Sequence, residues 1–134
     1  MAAEPDGGTS SEATRVLVVD DDPEIREVVT WLLQDEGLPV ETAADGQRAL
    51  DCATRARPAL IVLDMGLPII SGEEVAVRLR AHYGEPPPII VVSADGRAAE
   101  KAARIGARGY LHKPFDIDEL VRLIHGTLGR RRAC

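Results

Sequence analysis

Five polar residues of this chain, each standing at the end of an apolar run, share one chemistry. Asp20-Asp21 follow Val16-Leu17-Val18-Val19, Asp64 follows Ala59-Leu60-Ile61-Val62-Leu63, Ser93 follows Ile89-Ile90-Val91-Val92, and Lys113-Pro114 follow Tyr110-Leu111-His112. Carboxylates brought together repel one another unless a cation sits among them. An all-oxygen donor set suits a hard cation such as Mg2+, and such a cation also neutralises charge on a phosphoryl group. A carboxylate can itself be the nucleophile, forming an acyl phosphate. Lys113 would then offer its charge to the phosphoryl oxygens and Ser93 its hydroxyl. The small Ala94 leaves room beside them.

These groups can act together only if the runs before them lie side by side and point the same way. Runs of four or five apolar, largely β-branched residues read as strands buried on both faces of a parallel sheet. Between them fall helical patterns. Asp22-Pro23 opens a first helix as N-cap and first residue, with a stripe of Ile25, Val28, Val29, Leu32 and Leu33 and a closing Gly37. A second strand near Val40–Ala43 leads through Ala44-Asp45-Gly46 to a second helix ending by Arg57-Pro58. The third strand is expected over Ala59–Leu63, the third helix over Gly72–His82, and an Ala-rich fourth helix near Arg97–Arg104. The fifth strand is expected near Gly109–His112. A capping box of Asp116 with Glu119 opens the last helix, whose stripe is Ile117, Leu120, Val121, Ile124 and Leu128. Five alternations of strand and helix predict an α/β fold, a doubly wound five-stranded parallel sheet in the order 2-1-3-4-5 with five flanking helices. In that flavodoxin-like order Asp20, Asp21 and Asp64 meet at the topological switch point.

At 134 residues, 45% hydrophobic and 28% charged, the chain reads as one globular domain. Its boundaries are expected at a disordered tail over 1–14, a folded domain over 15–128 and a short basic tail over 129–134. A net charge of −6 argues against direct binding of nucleic acid. Two cysteines, Cys52 and Cys134, make neither a disulfide framework nor a metal site and suit the cytoplasm. There is no signal-peptide pattern and no run long enough to span a membrane. Lys101 and Lys113 are the only lysines among sixteen basic residues, which singles out Lys113.

Val18-Val19-Asp20-Asp21, Leu63-Asp64-Met65 with Leu67-Pro68 and Gly72, Val92-Ser93-Ala94 and Lys113-Pro114-Phe115, in this order at successive strand ends, resemble the receiver domain of bacterial two-component response regulators. The likeness covers about Arg15 to Leu128. It implies that Asp64 is the phosphoacceptor. It implies Mg2+ held by Asp21, Asp64 and the backbone carbonyl of Gly66, with Asp20 acting through a water. It makes Ser93 the switch hydroxyl, Tyr110 the switch aromatic and Lys113 the phosphate partner. A histidine kinase or histidine phosphotransfer protein is expected to dock beside the pocket, along Asp22, Arg26, Val29 and Thr30. An output protein is expected at the face of the fourth helix, fifth strand and fifth helix, where a phosphorylation-dependent homodimer is a further route to control. Gly66 and Asp95, two residues after Asp64 and Ser93, occupy positions that tune phosphoryl lifetime in the family.

Two rival readings are weaker. A phosphohydrolase with an aspartyl-phosphate intermediate usually carries a second aspartate where this chain has Gly66, so the expectation is a domain that catalyses only its own phosphorylation and dephosphorylation. A flavin site would need a phosphate-cradling loop where Asp20-Asp21-Asp22-Pro23 would repel phosphate. After Leu128 too few residues follow for a helix-turn-helix unit, so a stand-alone receiver is expected. His82 and His112 lack ligand partners, His125 is expected at the surface, and Trp31 lies off the apolar stripe of its helix.

Overall fold

The computed structural model describes residues 15–129. Its elements alternate without exception: β1 Val16–Val19, α1 Pro23–Asp35, β2 Val40–Ala43, α2 Gly46–Arg55, β3 Leu60–Asp64, α3 Gly72–Tyr83, β4 Ile89–Ser93, α4 Ala98–Ile105, β5 Gly109–His112 and α5 Ile117–Leu128. All strand pairs are parallel and the sheet order is β2-β1-β3-β4-β5, as the sequence predicts. β3 begins and ends one residue later than the apolar run suggests, so Asp64 belongs to the sheet itself. The expected tail over 1–14 and Arg130 to Cys134 lie outside the described residues.

β1, β3 and β4 are apolar up to their C-terminal ends because alternate residues feed two cores, whereas β2 and β5 at the sheet margins carry polar residues. Leu17, Val19, Ile61, Leu63, Ile89 and Val91 face α2, α3 and α4. Val16, Val18, Leu60, Val62, Ile90 and Val92 face α1 and α5. Shifting any of these three strands by one residue would exchange its two cores, so their register is strongly determined. The ladder continues into the strand ends, where the Asp20 amide donates to Ala43 O at 3.1 Å, Met65 N to Val92 O at 3.0 Å and Lys113 N to Ser93 O at 2.9 Å. The backbone on which the polar residues stand is therefore fixed by the sheet.

Asp22 caps α1 through the Glu24 amide, with Pro23 in the first turn. Gly37, at φ 83°, follows the helix in the left-handed conformation and donates to Gln34 O. Of the expected α1 stripe, Val29 and Leu33 are buried and Ile25 and Leu32 pack partly, whereas Val28 is exposed, because the stripe facing the sheet is narrower than the apolar set. Trp31 is exposed as expected. Asp116 caps α5 through the Asp118 amide, so the expected capping box with Glu119 is not the geometry formed. His125 is 3% exposed rather than at the surface. It continues the α5 stripe one helical turn beyond Val121, and Nε2 meets Glu36 Oε1 at 2.5 Å, so the buried imidazole has a carboxylate partner.

Two glycines admit the loop after β3. A Cβ on Gly72 would stand 2.8 Å from Asp64 O and from Met65 Sδ, and one on Gly46 would stand 2.3 Å from Ile70 O. Both allow a close backbone approach that a side chain would block. In the same loop Ile69 has φ 72°, a conformation unfavourable for a β-branched residue.

Candidate functional site

The C-terminal ends of β1, β3, β4 and β5 assemble the site. Asp64, 5% exposed, ends the central strand. Its Oδ1 accepts the Gly66 amide at 2.9 Å, and its Oδ2 lies 3.1 Å from Lys113 Nζ. Asp20 is equally enclosed. Its Oδ1 accepts the Asp22 amide at 2.9 Å, and its Oδ2 lies 3.0 Å from the same ammonium. Arg26 Nη1 donates to the Asp20 carbonyl at 2.7 Å. Asp21 is exposed at the rim. One oxygen from each of Asp20, Asp21 and Asp64 falls within 4.8 Å of the others.

The charges perturb one another. Burial pushes the Asp20 carboxyl above its usual range, and the Asp64 charge adds to this, against the Asp22 amide and Lys113, which favour the ionised form. For Lys113 burial favours the neutral amine, but the hydrogen bonds to Asp20 and Asp64 and their charges outweigh it and hold the ammonium above the usual lysine range. The site therefore keeps a cation between two enclosed carboxylates, with the third carboxylate open to solvent.

Ser93 is buried at the end of β4, and its hydroxyl donates to Asp95 Oδ1 at 2.7 Å. Asp95 in turn binds Lys101 Nζ through Oδ2 at 2.6 Å. The Lys101 ammonium, then the Ser93 hydroxyl and the Arg97 amide, hold the Asp95 carboxyl well below the usual carboxylate range. Asp21, Asp64, Gly66, Ser93, Asp95, Lys101 and Lys113 line one pocket of about 270 Å³. Lys101 also lines this pocket, a placement that the sequence reasoning did not reach, since the scarcity of lysine singled out Lys113 alone. Tyr110 stands exposed on β5, its ring edge-on to His112 at 6.0 Å between centroids. Of the expected docking flank, Asp22, Arg26 and Thr30 reach the surface in part, but Val29 is wholly buried in the core and offers nothing to a partner.

The oxygen cluster fits a hard divalent cation. Its donors are carboxylates without nitrogen or sulfur, they converge from two strand ends, and one ammonium compensates only part of their charge.

A parallel sheet in this order, with an acid-lined pocket at its switch point, is the arrangement of the flavodoxin-like receiver fold. Residues 16–125 match the model of the response regulator receiver domain, and the chain belongs to that family of two-component signalling proteins. It is 41% identical over 118 residues to the response regulator MprA of Mycolicibacterium vanbaalenii, covering 87% of this chain and 51% of that protein. It is 42% identical over 130 residues to the transcriptional regulatory protein PrrA of Mycobacterium leprae, covering 96% and 54%. The chain thus spans about half the length of these curated relatives. The response regulator receiver protein of Burkholderia phymatum superposes with a TM-score of 0.79 at 32% identity, covering 90% of this chain and 99% of that one.

Proposed function

We propose that Asp64 is the phosphoacceptor of this receiver and takes its phosphoryl group from a histidine kinase or a histidine phosphotransfer protein. The observation that carries this reading is the Asp64 carboxylate itself, fixed at the end of the central strand, with Lys113 on one oxygen and the Gly66 amide on the other, at the wall of an open pocket. In the transfer, a carboxylate oxygen of Asp64 attacks phosphorus. The phosphorus–nitrogen bond of the phosphohistidine breaks, and its electron pair stays on the departing imidazole nitrogen. Lys113 is positioned to hold a phosphoryl oxygen and to balance the added charge.

Mg2+, when bound by Asp21, Asp64 and the Gly66 carbonyl with Asp20 acting through a water, would neutralise the phosphoryl oxygens. Ser93 and Tyr110 are the proposed switch pair, and the face of α4, β5 and α5 the proposed output surface, for a partner protein or a second phosphorylated copy. Such a change is a shift between two conformers of the domain. The donor would approach over Asp22, Arg26 and Thr30, beside a hollow lined by Ile25, Pro114, Phe115 and Ile117. Among the described residues no helix is long and apolar enough to cross a membrane. That is consistent with work in the cytoplasm. With Gly66 two residues after Asp64, the site is suited to its own phosphorylation and dephosphorylation and not to turnover of a separate substrate.

Acetyl phosphate with Mg2+ tests the assignment. One phosphoryl group should appear on the wild type by intact mass, and none on Asp64→Asn or in excess EDTA. Undiminished labelling of Asp64→Asn would overturn it.

A further inference from the structure

We infer that Asp95 is a positioning residue: it latches the Ser93 hydroxyl away from the phosphoryl site and ties it to α4, so that reading the phosphoryl group and loosening the start of α4 are one event. This rests on Asp64 being the acceptor.

A serine hydroxyl has one proton to donate. Here that proton goes to Asp95 Oδ1 at 2.7 Å. The same oxygen accepts the Arg97 amide at 3.0 Å, at the residue that precedes α4, and Oδ2 binds Lys101 in the body of that helix. Arg97 makes no side-chain cap of its own, so the carboxylate at Asp95 serves as the acidic group at the head of α4. One carboxylate thus joins the end of β4 to α4 by three hydrogen bonds.

A phosphoryl group on Asp64 would compete for the Ser93 proton. It would also place new negative charge in the pocket that Asp95 lines. Hydrogen bonds to ionised acceptors are stronger than neutral ones, so the latch opposes the active conformer until a stronger acceptor arrives. When Ser93 turns, Asp95 loses a donor and keeps only its contacts to α4. The link runs through Ser93 and α4 and does not require Tyr110.

The test is the affinity for beryllofluoride in saturating Mg2+, measured by NMR titration on the 134-residue protein. Asp95→Ala removes the competing acceptor and should tighten binding by about tenfold, the weight of one charge-assisted hydrogen bond. Asp95→Asn keeps a carbonyl acceptor for Ser93 but loses the ion pair with Lys101, and should fall between alanine and wild type. In a Ser93→Ala background Asp95→Ala should change nothing. If it tightens binding equally there, Asp95 acts by bulk charge repulsion and the latch is overturned. Unchanged affinity of Asp95→Ala in a wild type that binds beryllofluoride also overturns it. A wild type that binds none instead refutes the acceptor assignment, and the latch falls with it.

Discussion

Replacing Lys113 by alanine removes the ammonium that stands 3.0 Å from Asp20 and 3.1 Å from Asp64. At an effective dielectric constant near 20, each contact is worth about 5 kcal/mol of gross attraction. Most of that is offset by the desolvation of the ammonium, and breaking an enclosed pair typically costs about 3–5 kcal/mol. The Lys113 side chain is 19% exposed, so water reaches it and screens part of the loss. A destabilisation of about 2–3 kcal/mol is expected, with the fold retained. Urea denaturation at pH 7 in EDTA measures it as a lower midpoint at unchanged slope.

The pH dependence carries a second signature. Lys113 is raised in the folded state, so its contribution is complete below the unfolded lysine value near pH 10.4 and is lost as pH rises through its folded value. Asp20 is also raised, so its contribution is present below about pH 3.8 and lost as pH rises through its folded value. Without Lys113 that carboxyl is raised further. The Asp20 share of the stability gap between the two proteins should therefore be smaller near pH 4 and widen toward pH 7. Mg2+ should then narrow it, because a cation again sits among the carboxylates. A gap below about 1 kcal/mol at pH 7, or one that Mg2+ leaves unchanged, would refute the charge-balance argument.

Two further outcomes follow from the same geometry. Mg2+ at tenfold its dissociation constant should stabilise the wild type by about 1.4 kcal/mol, read as a higher melting temperature, and Asp21→Ala should remove most of that response. Ile69→Asn should stabilise the protein by about 1 kcal/mol in urea, because asparagine tolerates the left-handed backbone that isoleucine resists; a loss of stability would mean that the exposed Ile69 side chain contributes packing.

The strand ends were legible because buried parallel strands leave no polar residue inside, so the first polar residue after each run marks the sheet edge. Asp22-Pro23 and Gly37 were legible for a similar reason, since helix ends have few chemical solutions. Burial on the helices was harder to read. Val28 and Val29 are the same residue type one position apart, and only the angle at which α1 lies on the sheet buries one and exposes the other. His125 looked polar by type, but its burial depends on Glu36, 89 positions away in sequence. The close approach of Gly46 to Ile70 is likewise tertiary. No local pattern encodes such contacts.

Among the described residues β3 has a hydrogen-bonded neighbour on each side, whereas β5 has β4 alone. Asp64, the proposed acceptor, is thus mounted on a strand held along both margins, and Lys113, its proposed phosphate reader, follows a strand bonded along one margin. Because Lys113 N–H is bonded to the Ser93 carbonyl, a pull on either residue is felt by the other through the backbone. In mechanical terms β3 is the post and β5 the leaf of a hinge. On the proposed switch, displacement generated at the pocket would be released at that margin, where Tyr110 meets solvent, and not in the two packed cores.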